Sequence, residues 1–213
     1  MVTDNKDDVV TFAGGVLDQH RHVCAFVNWQ DEDLAVLDSF VRQGIDSGDR
    51  VVYLVDPADM AEPVNRLQHL GYDPAELLTR RQCEVHSWAD TYLVGGRFDP
   101  DAMLTLLDRM FDDRDSPRVR LVANMGWAIG EPGFADQLIE FEARANFVNL
   151  RHRHIAICAY DTAQFDGALI IDILRTHPMV LVGGVLQENP FFVPPAEFLR
   201  QKGFPETGSI TPP

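Results

Sequence analysis

Short apolar runs alternate with longer amphipathic segments along most of the chain. The runs occupy residues 23–27, 50–55, 83–88, 118–125, 155–160 and 179–186. A strand that is apolar at consecutive positions buries both faces, as parallel strands do when helices cover both sides of the sheet. The pattern therefore predicts an α/β fold with a mostly parallel central sheet and helices on both faces. Residues 23–27 are apolar throughout, so we expect them to form a central strand.

The segments between these runs place apolar residues three and four positions apart, the spacing of one face of an α-helix. We therefore predict two core-facing helices, one after the first run and one before the fifth. Their apolar faces consist of Leu34, Leu37, Val41 and Ile45, and of Phe134, Leu138, Phe141, Ala145 and Val148.

Composition favours a single domain with a short additional segment at each terminus. A chain of 213 residues with 46% hydrophobic content can bury one substantial core. The segment from residue 203 onwards is rich in Gly, Pro and Thr, so it can bury little apolar surface. We predict an N-terminal extension over 1–19, one domain over 20–199 and a flexible C-terminal tail over 200–213.

The chain carries 33 acidic and 18 basic side chains, a net charge of −15. Such a charge repels phosphate backbones and anionic lipid, so we expect no direct contact with nucleic acid or membrane. Cys24, Cys83 and Cys158 are odd in number and widely spaced, unlike a disulfide framework. With an acidic N-terminus unlike a signal peptide, these features predict a cytoplasmic protein.

Polar and aromatic residues follow several predicted strands at their carboxyl ends, the edge at which open parallel sheets bind ligands. Each is typical of an ordinary turn or cap when taken singly. Together they predict a pocket for a small organic ligand, with Trp29 and Trp127 as apolar walls. Glu142 joins them from the margin of a predicted helix face. The predicted ligand-binding residues are Asn28, Trp29, Asp56, Asn124, Trp127, Glu142, Tyr160 and Asp161.

The segment after the first run excludes a P-loop. A P-loop protein has GxxxxGK[ST] there, whereas this chain has NWQDEDLA at 28–35, with three acidic residues and no glycine or lysine. No GxSxG elbow, GxGxxG fingerprint or Ser-His-acid arrangement occurs either. We therefore predict that the protein is not an enzyme and does not hydrolyse ATP by the P-loop route.

His20, His22 and Cys24 alternate, so in an extended segment their side chains project from one face. Imidazole and thiolate bind transition metals and haem, which makes His22 and Cys24 candidate metal ligands. The alternative is that the histidines lie at the surface and Cys24 is a small core residue, since no partner with zinc-ligand spacing follows. The sequence does not identify a cofactor.

Taken in order, several stretches resemble the MEDS family, a sensory domain of methanogen and methylotroph regulators. The resemblance runs from about residue 20 to 199. Its stretches are residues 22–56, 92–104, 118–129, 141–146, 158–161 and 176–195.

The resemblance implies a RecA-like or KaiC-like fold that has lost its P-loop, and a role in sensing small molecules such as simple hydrocarbon derivatives. Relatives are usually fused to, or act with, a DNA-binding or kinase-like output module. This sequence leaves no room for a helix-turn-helix before residue 20 or an output module after 199. We therefore expect a stand-alone ligand-binding regulator that signals through a partner protein, with a homodimer left open. A metal- or haem-binding redox sensor and a small enzyme are the alternatives.

Overall fold

The computed structural model describes residues 9–28, 31–112, 117–129 and 133–204, with the side chains of residues 31–33 left aside. The strands in these ranges are β1 (Val10–Phe12), β2 (Gly15–Leu17), β3 (His22–Val27), β4 (Arg50–Val55), β5 (Cys83–Ser87), β6 (Val119–Asn124), β7 (Ile155–Asp161), β8 (Met179–Val182) and β9 (Val185–Glu188). The helices are α1 (Asp31–Asp46), α2 (Glu62–His69), α3 (Pro74–Thr79), α4 (Pro100–Phe111), α5 (Phe134–Asn149), α6 (Gly167–Thr176) and α7 (Pro195–Lys202).

Seven strands form one sheet in the order β5-β4-β6-β7-β3-β8-β9. Every neighbouring pair is parallel except β8 and β9 at the edge. The predicted α/β fold with a mostly parallel sheet is therefore confirmed. Strand β3 lies inside the sheet between β7 and β8, whereas β7 occupies the middle position.

The sixth apolar run, residues 179–186, is not one strand. It turns back on itself between β8 and β9, which pair antiparallel with Val182 opposite Val185. Gly183 and Gly184 form the two-residue connection with φ of 56° and 76°. Positive φ at both positions is what a tight hairpin turn requires, and glycine adopts it without steric cost.

Helices cover both faces of the sheet, as predicted. Apolar side chains of α4, α5 and α6 pack on one face, and those of α1, α2 and α3 pack on the other. Alternation along each strand divides its side chains between these cores: Cys24 enters the first, and Val23 and Ala25 enter the second. A smaller cluster joins α5 to α7 through Phe198 and Leu199.

Residues before the predicted domain boundary also contribute to the core. Strands β1 and β2 form an antiparallel hairpin whose Val10, Phe12 and Leu17 are buried on the α1 face of the sheet. The predicted boundaries at 20 and 199 stay predictions, and residues 205–213 of the tail lie outside the described residues. Among the described helices, none combines the length and apolar character needed to cross a bilayer.

Candidate functional site

A cleft opens at the carboxyl ends of β4 and β6, beside α1 and α2. Its volume is about 530 Å³, within the usual range for sites that bind small molecules. Asp56 lines it directly after β4, Asn124 lines it at the end of β6, and Trp88 forms an apolar wall from the segment that follows β5. The Trp88 Nε1–H group donates a hydrogen bond of 2.9 Å to the Asn124 carbonyl oxygen, which fixes the indole against the sheet edge.

The polar lining of the cleft is mainly acidic. Arg66 is its one cation among the described lining residues, and its Nε donates to Asp38 Oδ1 at 2.9 Å, with Glu62 Oε1 3.7 Å from Nη1. Asp56 and Asp59 add two further carboxylates. Because Arg66 is already paired with carboxylates, the cleft is electronegative and disfavours phosphate or carboxylate ligands.

A second cluster of polar side chains lies buried on the other face of the sheet. His22 begins β3, Cys158 lies in β7, Glu142 projects from α5, and His177 follows α6 directly. None of the four is more than 4% exposed. We refer to these residues as the buried cluster.

Glu142 is the centre of the buried cluster. Its Oε2 lies 3.1 Å from His22 Nε2, 3.4 Å from His177 Nε2 and 3.8 Å from Cys158 Sγ. Its Oε1 accepts a hydrogen bond of 2.6 Å from the Tyr160 hydroxyl. Cys158 Sγ also lies 3.6 Å from His22 Nε2.

Neighbouring groups hold both imidazole rings in a defined orientation. The Asn146 amide nitrogen donates to the backbone carbonyls of Glu142, Ala143 and Thr176, so its Oδ1 must face His22 Nδ1 at 3.2 Å. A carbonyl oxygen only accepts, so His22 Nδ1 carries the proton. His177 Nδ1 likewise donates to a carbonyl oxygen, that of Ile173, at 2.9 Å. In both rings Nε2 therefore faces the interior of the cluster.

Charge within the buried cluster is concentrated on Glu142. Burial by itself would raise the pKa of this carboxyl, but the adjacent His177 and His22 rings hold it well below its usual range. Burial, and then the proximity of His177, lower the pKa of His22. Burial, followed by the Glu142 carboxylate, raises the pKa of the Cys158 thiol and the Tyr160 phenol.

Residues 21–178 match the family described as MEDS, the methanogen/methylotroph, DcmR sensory domain. This match covers more than half of the chain. The chain belongs to the MEDS family. The resemblance noted from the sequence is therefore confirmed, and a sensory or regulatory role follows from this membership.

Comparison with solved structures supports the fold of this MEDS domain. A KaiC-like protein of the hyperthermophilic archaeon Pyrococcus horikoshii OT3 superposes with a TM-score of 0.56 at 13% identity, covering 75% of this chain and 70% of that chain. The predicted RecA-like, KaiC-like fold class is thereby confirmed. None of the curated proteins compared with the MEDS domain matches its sequence.

The structure divides the seven sequence-predicted ligand residues that it describes in the MEDS domain between several places. Asp56 and Asn124 line the cleft, whereas Glu142 belongs to the buried cluster on the opposite face, where Tyr160 donates a hydrogen bond to it. Trp127 is 3% exposed and packs in the core instead of lining the cleft.

Two of the remaining predicted residues lie at or near the strand ends. Asn28 follows β3 at the surface, and Asp161 ends β7, where its carboxylate accepts hydrogen bonds from the turn that follows. Trp29 lies outside the described residues. The ligand-binding role of all eight residues stays a prediction.

Of the two metal candidates, His22 belongs to the buried cluster, whereas the Cys24 thiol donates towards the Met179 carbonyl oxygen at 3.6 Å. Sequence reasoning did not select His177, and it noted Cys158 only as one of three widely spaced cysteines, because the partners of both residues are remote along the chain. It also missed Trp88 as a cleft wall. The sequence signals available for them were a histidine before Pro178 and a tryptophan at the end of a predicted strand.

Proposed function

We propose that this MEDS domain is a cytoplasmic sensor, not an enzyme, which binds a small organic molecule in the cleft and signals through a partner protein. The observation that carries the proposal is the chemistry of the cleft: apolar walls with an acidic polar lining at the ligand-binding edge of a RecA-like sheet. Family membership supports the sensory role.

The lining selects the class of ligand. Tyr53, Val55 and Trp88 offer apolar contact, and the surplus of carboxylates favours an uncharged or cationic polar group. A short-chain alcohol or amine fits these requirements, whereas a carboxylic acid of equal length is repelled. The net charge of −15 similarly disfavours direct binding to DNA, so the output passes to another protein such as a DNA-binding or kinase-like regulator.

A thermal-shift screen of the full chain tests the proposal with alcohols, amines and carboxylic acids matched in chain length. We expect the alcohols or amines to raise the melting temperature and the matched acids to leave it unchanged, and hits are confirmed by calorimetric titration. Trp88→Ala should abolish the shift, because apolar contact supplies most of the affinity in a small site.

Phe191→Ala is the matched control, since this phenylalanine is 63% exposed and does not line the cleft. It should bind as the unmodified chain does. Equal shifts for acids and amines, or binding that survives Trp88→Ala, would refute the assignment of this cleft.

A further inference from the structure

The four side chains of the buried cluster have the spacing of a metal centre. Their ligand atoms all lie within 4.8 Å of one another, and four of the separations are 3.1, 3.4, 3.6 and 3.8 Å. Zinc bound tetrahedrally by nitrogen, oxygen and sulfur requires donor separations of about 3.3–3.6 Å, given its usual bond lengths. The widest separation, at most 4.8 Å, must shorten by about 1 Å to reach that geometry.

Hydrogen bonding within the protein leaves one nitrogen of this arrangement poorly satisfied. A proton on His22 Nε2 can pair with Glu142 Oε2, whereas His177 Nε2, which is fully buried, makes no hydrogen bond of good geometry and lies 3.4 Å from the same carboxylate oxygen. Its ring is held through Nδ1 by Thr176 and Ile173, so Nε2 points into the cluster. A buried polar atom in that state is unfavourable. A metal ion coordinated by all four side chains uses both Nε2 atoms as ligands.

The charges of the donors also match a divalent ion. Two neutral imidazoles, the Glu142 carboxylate and a Cys158 thiolate sum to −2, which one divalent cation neutralises. Neutrality matters because a net charge buried away from water is strongly unfavourable. Metal binding would displace the thiol proton of Cys158, as is usual for thiolate ligands.

The groups around the donors orient them as outer-shell partners do in metal proteins. Asn146 accepts from His22 Nδ1, Ile173 from His177 Nδ1, and Tyr160 donates to the distal oxygen of Glu142. A surface crevice of about 100 Å³ at the amino end of β3 is lined by His22 and Asn146, so it reaches the edge of the cluster.

We propose that His22, Glu142, Cys158 and His177 form a binding site for one divalent transition-metal ion, zinc being the best match to the donor set. The spacing of the donors suits a single ion and not a haem. The site is independent of the organic-ligand cleft on the opposite face, so either assignment stands if the other fails.

Elemental analysis and a cobalt titration of the full chain test the site. We expect zinc to copurify, and the chelator-treated chain to bind Co²⁺ at about one ion per chain in the tetrahedral geometry of such sites. Tetrahedral cobalt with a thiolate ligand gives visible ligand-field bands and a near-ultraviolet charge-transfer band, and added Zn²⁺ should abolish both. A folded chain that shows neither copurified metal nor these bands overturns the proposal.

Variants then assign the donors. Cys158→Ser should remove the charge-transfer band and His177→Gln should weaken cobalt binding, whereas Cys83→Ser should leave both unchanged. Cys83 is the matched control because it is buried on the other face of the sheet. If Cys24→Ser removes the charge-transfer band in place of Cys158→Ser, the proposed donor set is wrong.

Tyr160→Phe tests the site when a donor variant fails to fold. It removes only the hydroxyl that orients Glu142, and loss of an outer-shell partner lowers metal affinity by about 10- to 100-fold. We expect such a loss of cobalt affinity with an unchanged circular dichroism spectrum. Unchanged cobalt affinity would show that Glu142 is not a ligand and overturn the four-residue site.

Discussion

Two tryptophans near the same end of the sheet have different surroundings, and this difference decides what each can do. Trp127 stacks on Tyr92 with ring centroids 4.8 Å apart and lies 4.3 Å from the ring of Phe98. Trp88 is only partly buried and lines the cleft. Trp127 therefore contributes to stability, and the proposed apolar wall is Trp88.

We expect Trp127→Ala to lower the free energy of unfolding by about 3–5 kcal/mol, as large-to-small aromatic truncations in cores do. Urea denaturation followed by circular dichroism measures the change. Trp88→Ala is the comparison and should cost clearly less, because part of that side chain already contacts solvent. Equal losses for the two variants would contradict the distinction between core and wall.

At the scale of elements, a buried arginine adds hydrogen bonds between the sheet and the last turns of α1. Arg120 in β6 is 1% exposed and donates to Asp49 Oδ2 at 2.7 Å, to the Phe40 carbonyl oxygen at 3.0 Å and to Gln43 Oε1 at 2.9 Å. Gly44 lets the helix approach this side chain, since a Cβ there would lie 2.6 Å from Arg120 Cδ. Arg120 therefore couples the position of α1 to that of β6.

Gly44→Ala should destabilise the protein, although alanine is the better helix former. The added methyl group meets a side chain held by three hydrogen bonds, and overpacking of this kind costs about 1–3 kcal/mol, more than the gain of about 1 kcal/mol in helix propensity.

The control is Gly167→Ala, at the start of α6, because no atom lies within 4 Å of the position that the added methyl group would occupy. It should be neutral or stabilise by up to about 1 kcal/mol. Thermal and urea unfolding compare the pair, and a stabilised Gly44→Ala variant would contradict the close approach.

For the whole molecule, the fold retains the sheet of RecA-like proteins while the chemistry at its carboxyl edge differs from that of a P-loop protein. The segment after β3 lacks Gly and Lys, and the cleft beside β4 and β6 is acidic. A fold of this class does not fix a function, because function depends on the site that the fold carries.

We therefore expect no magnesium-dependent ATP binding of the P-loop kind. Isothermal titration of the full chain with ATP and Mg²⁺ should give no measurable heat of binding at micromolar protein, because backbone amides and a lysine that neutralise phosphates are missing. A micromolar affinity that requires magnesium and disappears on changes in residues 28–33 would contradict this expectation.

The sequence by itself determined the fold class, five of the seven strands of the sheet and two of the helices that cover it, α1 and α5. It could do so because burial on two faces leaves a local signature, consecutive apolar positions in strands and spacings of three and four in helices. It also determined the loss of the P-loop, since that motif is contiguous. The sequence did not predict that β8 and β9 are separate strands of a hairpin, because Gly183-Gly184 is compatible with a bulge as well as a turn.

Tertiary structure alone decided which side chains meet. His22 and Cys158 are 136 positions apart and come together because β3 pairs with β7, while Glu142 and His177 arrive from α5 and the end of α6. The same holds for the two tryptophans. The paths of the segments after β5 and β6 place the Trp88 indole in the cleft and the Trp127 indole outside it. Local patterns record burial, but a binding site depends on distances between remote elements, which the pairing of strands and the packing of helices fix.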